Sequence, residues 1–228
     1  MGWERASTRT VMAISRVGSA SAQATTITIP THQSGDLILI VANRNNAIPA
    51  TVPSGWVTRT AGFSTGNSVM LGWKLAKSSS ETSGTWTNAS VLHCVVYRGS
   101  AGILCLPFSS SSSGTSTTIN YAPVNNYTSG LLDNWYVATA FQVNSTNSLE
   151  TAPTGMANIN VESSAGNWKS VIHDTNASQL SNWPTTNVTV VTSSTWRTGV
   201  FQIIEFDGPA FGSGGGFRPV NIRGGADQ

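Results

Sequence analysis

Two halves of this chain repeat one another, and that repetition limits the fold more than any other feature. The run Val91-Leu92-His93-Cys94-Val95-Val96-Tyr97-Arg98-Gly99 returns as Val200-Phe201-Gln202-Ile203-Ile204-Glu205-Phe206-Asp207-Gly208. Each run follows a Thr-Trp pair, Thr85-Trp86 and Thr195-Trp196. Pro53-Ser54-Gly55-Trp56 is answered by Pro153-Thr154-Gly155-Met156, Gly66-Asn67 by Gly166-Asn167, and Thr25-Thr26-Ile27 by Thr117-Thr118-Ile119. The segment from Gly35 to Ile40 lines up with that from Leu132 to Val137. The order is kept while the spacing widens, as when loop insertions accumulate in two copies of one strand-rich unit.

Each matched run alternates apolar and polar residues or is rich in β-branched ones, and turn-forming clusters separate the runs. The pattern predicts strands at 11–17, 24–30, 36–43, 56–63, 68–76, 91–98, 102–108, 116–121, 132–143, 156–163, 168–173, 187–193 and 198–206. No window carries a sustained helical period with caps. Short strands at near-regular spacing imply an all-β, jelly-roll-like sandwich built from two pseudo-repeats. The expected organisation is an N-terminal arm (1–16), a sandwich (17–208, with pseudo-repeats at about 24–99 and 116–208) and a Gly-rich C-terminal tail (209–228). The serine run from Ser109 to Gly114 falls between the repeats and reads as an exposed loop.

Charged residues make up 10% of the 228 residues, well below the usual quarter. Ser, Thr, Asn and Gly fill the polar positions, which suits sheet surfaces and packing among neighbours better than solvated helices. Arg5, Arg9, Arg16, Arg218 and Arg223 concentrate positive charge in the two terminal segments. These five read as assembly contacts to another protein. No Lys/Arg cluster interleaves with aromatics, so nucleic acid is not an expected partner. No apolar run reaches the length of a membrane-spanning helix, so insertion into a bilayer is not expected either. Cys94 and Cys105 read as free thilos of a protein folded in a reducing cytoplasm.

Material for catalysis is thin. Glu205 and Asp207 have the i,i+2 spacing that puts two carboxylates on one face of a strand, as a glycosidase pair requires. Their counterparts in the first half are Val96 and Arg98, and Asp207 abuts a turn glycine, so the pair reads as structural. His32, His93 and His173 lack metal-ligand spacing, and no cofactor motif occurs, so no metal or cofactor is expected. Arg98 and Asp207 occupy matching places with opposite charge and are expected to pair. Eight tryptophans raise a glycan-binding alternative. Trp86, Trp183 and Trp196, in or beside polar loops, are its candidates, whereas Trp56, Trp73 and Trp135 sit in apolar alternation and read as core.

The blocks Gly35-Asp36-Leu37-Ile38-Leu39-Ile40, Pro53-Ser54-Gly55-Trp56, Leu71-Gly72-Trp73-Lys74 and Val95-Val96-Tyr97-Arg98-Gly99 together resemble a family of β-sandwich proteins of tailed bacteriophages. The likeness spans about residues 14–208. It departs from the family pattern in the second half, at Asn134-Trp135 and Met156. The resemblance implies a non-enzymatic virion protein of tail, fibre or head decoration, assembled in the host cytoplasm. Its implied partners are other copies of itself, as a trimer or hexamer, and other virion proteins. A carbohydrate-binding or receptor-binding fibre-tip domain, meeting a host-surface glycan, is the alternative.

Overall fold

A computed structural model describes residues 13–64, 66–126, 133–144 and 146–206. These residues form ten strands and contain no helix. In chain order they are β1 (Ser15–Ala22), β2 (Leu37–Arg44), β3 (Val57–Ser64), β4 (Asn67–Leu75), β5 (Val91–Arg98), β6 (Gly102–Tyr121), β7 (Asn134–Gln142), β8 (Ala157–Ser164), β9 (Trp168–Asp174) and β10 (Thr186–Phe206). They build two five-stranded antiparallel sheets, ordered β1-β5-β2-β4-β3 and β6-β10-β7-β9-β8. Numbered from its own first strand, each sheet reads first, fifth, second, fourth, third. The sheets face each other reciprocally, with β1 against β8 and β6 against β3. The molecule is an all-β sandwich.

Turn chemistry explains the matched motifs. Gly55 and Gly155 have φ of 85° and 86°, a region open to glycine and strained for residues with a Cβ. In the second half the Met156 N–H closes the turn onto the Pro153 carbonyl at 2.9 Å. Each turn delivers the chain into a hairpin, β3–β4 or β8–β9.

Three apolar layers hold the fold. Between the sheets, Leu37, Leu39, Val41, Val95 and Tyr97 meet Trp135, Val137, Phe141, Ile172 and Phe201. Outside the first sheet, Ile38, Ile40, Leu92, Cys94 and Val96 are covered by Ile27, Ile29 and Trp86. Outside the second, Tyr136, Ala138, Ala140, Val171 and Val200 are covered by Ile119, Tyr121, Val188 and Val190. The inner strands are therefore buried on both faces, which is why Leu37 to Ala42 is a continuous apolar run without alternation. Full burial of one such side chain contributes about 1.5–3 kcal/mol.

The sequence-based strand pattern needs four corrections. The serine run lies within β6, which unites the segments expected at 102–108 and 116–121. Likewise β10 unites 187–193 and 198–206. Residues 24–30 join neither sheet and begin in a bend; the segment lies over the first sheet, where the Trp86 N–H donates to the Thr25 carbonyl at 2.7 Å. The first strand begins at Ser15, so Arg16 belongs to the sandwich and not to an arm. The β6/β10 pair reaches beyond the sheet. Its register breaks between Thr189 and Ser194, and the remaining ladder, Thr186 to Thr189 against Thr118 to Tyr121, lies over the outer face of its own sheet.

Candidate functional site

Alternation along β2, β5, β7 and β9 sends Asn43, His93, Thr139 and Ser170 into the space between the sheets, where all four are fully buried. The Asn43 amide donates to Ser170 Oγ at 2.6 Å, and His93 Nε2 is hydrogen-bonded to the same hydroxyl at 2.8 Å. Thr139 Oγ1 donates to the Val171 carbonyl at 2.8 Å. A histidine beside a serine is the beginning of a nucleophile–base pair. Here burial holds the His93 pKa down to about 3, the third member is an amide, and all the side chains are sealed from solvent. The arrangement helps to fix the registration of two sheets whose inner contacts are otherwise mostly apolar.

Ionisable groups are spent in the same way. Asp174 is fully buried; its carboxylate accepts two hydrogen bonds from Arg16 Nη1, both 3.0 Å, and one from the Tyr97 hydroxyl at 3.0 Å. Burial raises the Asp174 pKa against the opposing pull of Arg16 and Tyr97. Arg16, expected to reach a second protein, is thus committed to an internal carboxylate, because an unpaired buried charge would cost several kcal/mol. Arg98 forms a two-pronged pair with Asp36 at 2.7 Å for each contact, and its expected partner Asp207 is not among the described residues. Glu205 Oε1 accepts from Ser100 Oγ at 2.7 Å and from the Ala101 N–H at 2.8 Å, so this carboxylate holds the β5–β6 turn. Asp207, Arg5, Arg9, Arg218 and Arg223 lie outside the described residues.

The three candidate glycan stackers are core residues, with exposures of 0% for Trp86, 4% for Trp183 and 2% for Trp196. Trp86 lies over Gly72 in β4, packs edge-on to Trp56 at 5.5 Å, and donates its indole N–H to the Ser83 carbonyl at 3.1 Å. Trp196 lies over Gly114 in β6 and donates to Ser116 Oγ at 3.0 Å. Trp183 packs beside Tyr136 at 5.7 Å. Polar neighbours in sequence misled because these rings bury an outer sheet face, with the Trp86 N–H satisfied by a loop carbonyl and the Trp196 N–H by a β6 hydroxyl. Of the rings expected in the core, Trp135 is buried, and Trp56 and Trp73 are partly buried. Lys74 sits 4.7 Å above the Trp56 ring and pairs with Glu81 at 2.8 Å, which lowers the Glu81 pKa.

On the outer surface an open groove of about 490 Å³ lies between Thr26–Ile29 and the loop from Ser79 to Thr85. His32 ties its walls together. Its Nε2 accepts the Glu81 N–H at 3.0 Å, which leaves the proton on Nδ1 to be donated to the Pro30 carbonyl at 2.7 Å. No group of three or more His, Cys, Asp or Glu side chains among the described residues is placed to hold a metal. Cys94 and Cys105 are buried thiols not joined in a disulfide, and burial pushes the Cys94 thiol up to about 12.

The sheet edges differ more than the grooves do. On one side of the sandwich, β1 and β8 are stitched by side chains: Ser21 Oγ donates to Glu162 at 2.6 Å, and Gln23 donates to Glu162 at 3.2 Å and to the Ser163 carbonyl at 2.9 Å. On the other side lie β3 and the long, serine-rich β6. Sequence reading missed β6 as a feature because a run of serines carries no apolar period. No known protein family, curated protein or solved structure matches the chain.

Proposed function

We propose that this chain is a non-enzymatic exterior structural protein of a bacteriophage particle, in tail, fibre or head decoration, acting through contacts between subunits. The observation that carries this reading is where the chemistry is spent. Asp174, Glu205, His93, Ser170 and the three loop tryptophans all serve the interior. What faces outward on the longest edge is Ser111, Ser113, Thr115 and Thr117. Neutral hydroxyl-bearing surface costs little to desolvate compared with ionised groups and can hydrogen-bond across a contact. The motif resemblance supplies the setting. The glycan-binding alternative loses its candidate rings to the core, and no observation favours it.

The test is mass spectrometry of particles purified from a host that makes the chain, together with localisation of a terminal tag by electron microscopy. The reading expects many copies per particle at one repeated exterior position. A chain found only in the soluble lysate, or turnover of a glycan by the purified protein, would overturn it.

A further inference from the structure

We propose that the free edge of β6, from Ser109 to Ser116, is a strand-pairing surface that takes the same edge of a second copy of this chain, antiparallel about a twofold axis. Natural sheets guard their edges with short strands, charges, proline or bulges, because an open edge is a template for another strand. Three of the four edges here are guarded. The strands β1, β3 and β8 each span eight residues. The first and last of these carry Arg16 and Glu162, and each of the three is broken by an irregularity, at Arg16/Gly18, Thr60/Gly62 and Asn158/Asn160.

The β6 edge is unguarded. The strand has 20 residues and no charged one. Both of its register shifts, and Pro107, fall outside the stretch from Ser109 to Ser116, which pairs without interruption with Phe201 back to Ser194 of β10. Among the described residues no strand pairs with its other side. The side chains at Ser111, Ser113, Thr115 and Thr117 are exposed. They are too small to obstruct an approaching backbone.

A second copy is the occupant this edge fits. Five consecutive serines, Ser109 to Ser113, make the edge self-complementary. Paired antiparallel about Ser111, Ser109 to Ser113 of one copy oppose Ser113 to Ser109 of the other, and no like charges meet. A twofold contact of this kind uses one patch twice, as isologous dimers do. The inference deepens the structural reading and rests on it for the choice of a like copy as partner.

The experiment is sedimentation velocity of the full chain over a wide concentration range, with hydrogen exchange read at Ser109 to Ser116. The expected result is a reversible dimer whose formation protects amides in that stretch. The pair Ser111→Lys with Ser113→Lys, and separately Ser111→Glu with Ser113→Glu, should each weaken the dimer by about tenfold or more, since like charges then oppose across the twofold. Mixing the Lys and Glu proteins should restore association as a heterodimer. A wild-type chain that stays monomeric at every concentration, or a dimer indifferent to both substitutions, overturns the proposal, as does concentration-independent exchange in the stretch. Hydrogen exchange on the wild-type protein decides the matter even where a variant fails to fold. Particles that contain the chain while the purified wild-type stays monomeric would sink edge pairing and leave the structural role intact. A β6-dependent dimer that never enters particles would do the reverse.

Discussion

On the outside of the first sheet, Ile27, Ile29 and Trp86 arrive from loops, held by single contacts such as the Trp86 N–H to the Thr25 carbonyl. On the outside of the second, Ile119, Tyr121, Val188 and Val190 arrive on a ribbon that is itself hydrogen-bonded as a ladder. Strand order within the two sheets is the same, and so is the need to cover central strands that are apolar on both faces. What differs is how the cover is organised. In the first half burial relies on a large ring seated on a strand glycine; in the second the cover brings backbone pairing of its own. An equal core can thus be reached through unequal local order, which is why residues 24–30 read as a strand and yet sit in no ladder.

The comparison predicts where each half is vulnerable. Trp86→Ala and Trp196→Ala should each cost about 3–5 kcal/mol in denaturant unfolding, because each ring fills an outer core. Trp86→Ala should be the worse of the two, having no ladder to hold its loop. Since both sheets share the central core, unfolding should remain one transition. Separate transitions for the two halves would break the picture of a single cooperative sandwich.

Acid should expose a second asymmetry. His93 lies in the shared core, and His173 lies beside Tyr121 at 6.2 Å in the second outer layer only. Burial holds both pKa values down to about 3, from 6.5. A base whose folded pKa is depressed binds fewer protons than the unfolded chain below the unfolded value. Stability is therefore intact above about pH 6.5 and declines as pH falls toward 3, by on the order of a few kcal/mol. His173→Phe should lessen that decline while leaving neutral stability unchanged or improved, since neither ring nitrogen of His173 has a hydrogen-bond partner. Melting temperatures across a pH series check this; identical slopes for the two proteins would refute it.

The smallest effect concerns the glycine seats. A Cβ at Gly72 would lie 2.5 Å from Trp86, and one at Gly114 would lie 2.8 Å from Trp196. Gly72→Ala and Gly114→Ala should each cost about 1–3 kcal/mol by overpacking, with the larger melting-temperature drop at Gly72. The opposite ranking would mean that the first-half loop yields more readily than the ribbon.

Much of this architecture was legible in the residues. The apolar run from Leu37 to Ala42 marked a strand, though its burial on both faces shows only in the fold, and the Pro-x-Gly motifs marked turns. The serine run was illegible, because a strand exposed along one edge needs no hydrophobic signal and takes its conformation from the neighbouring β10. The candidate sites were harder still. Tryptophan beside polar residues does not reveal that its ring turns inward, and an arginine near a terminus does not reveal the buried Asp174 that claims it. Both depend on contacts between residues remote in sequence: Arg16 and Asp174 lie 158 positions apart.

Asp133 joins the two ends of the sandwich. Its side chain accepts the Ile14 N–H at 2.8 Å and its carbonyl accepts the Glu205 N–H at 2.9 Å. The chain thus enters and leaves the folded body at one pole, beside the β5–β6 turn that Glu205 clasps. The subunit therefore has a direction. In an antiparallel pair joined along β6 the two entry poles would point away from each other, so such a pair would carry one Asp133 clasp at each of its opposite ends.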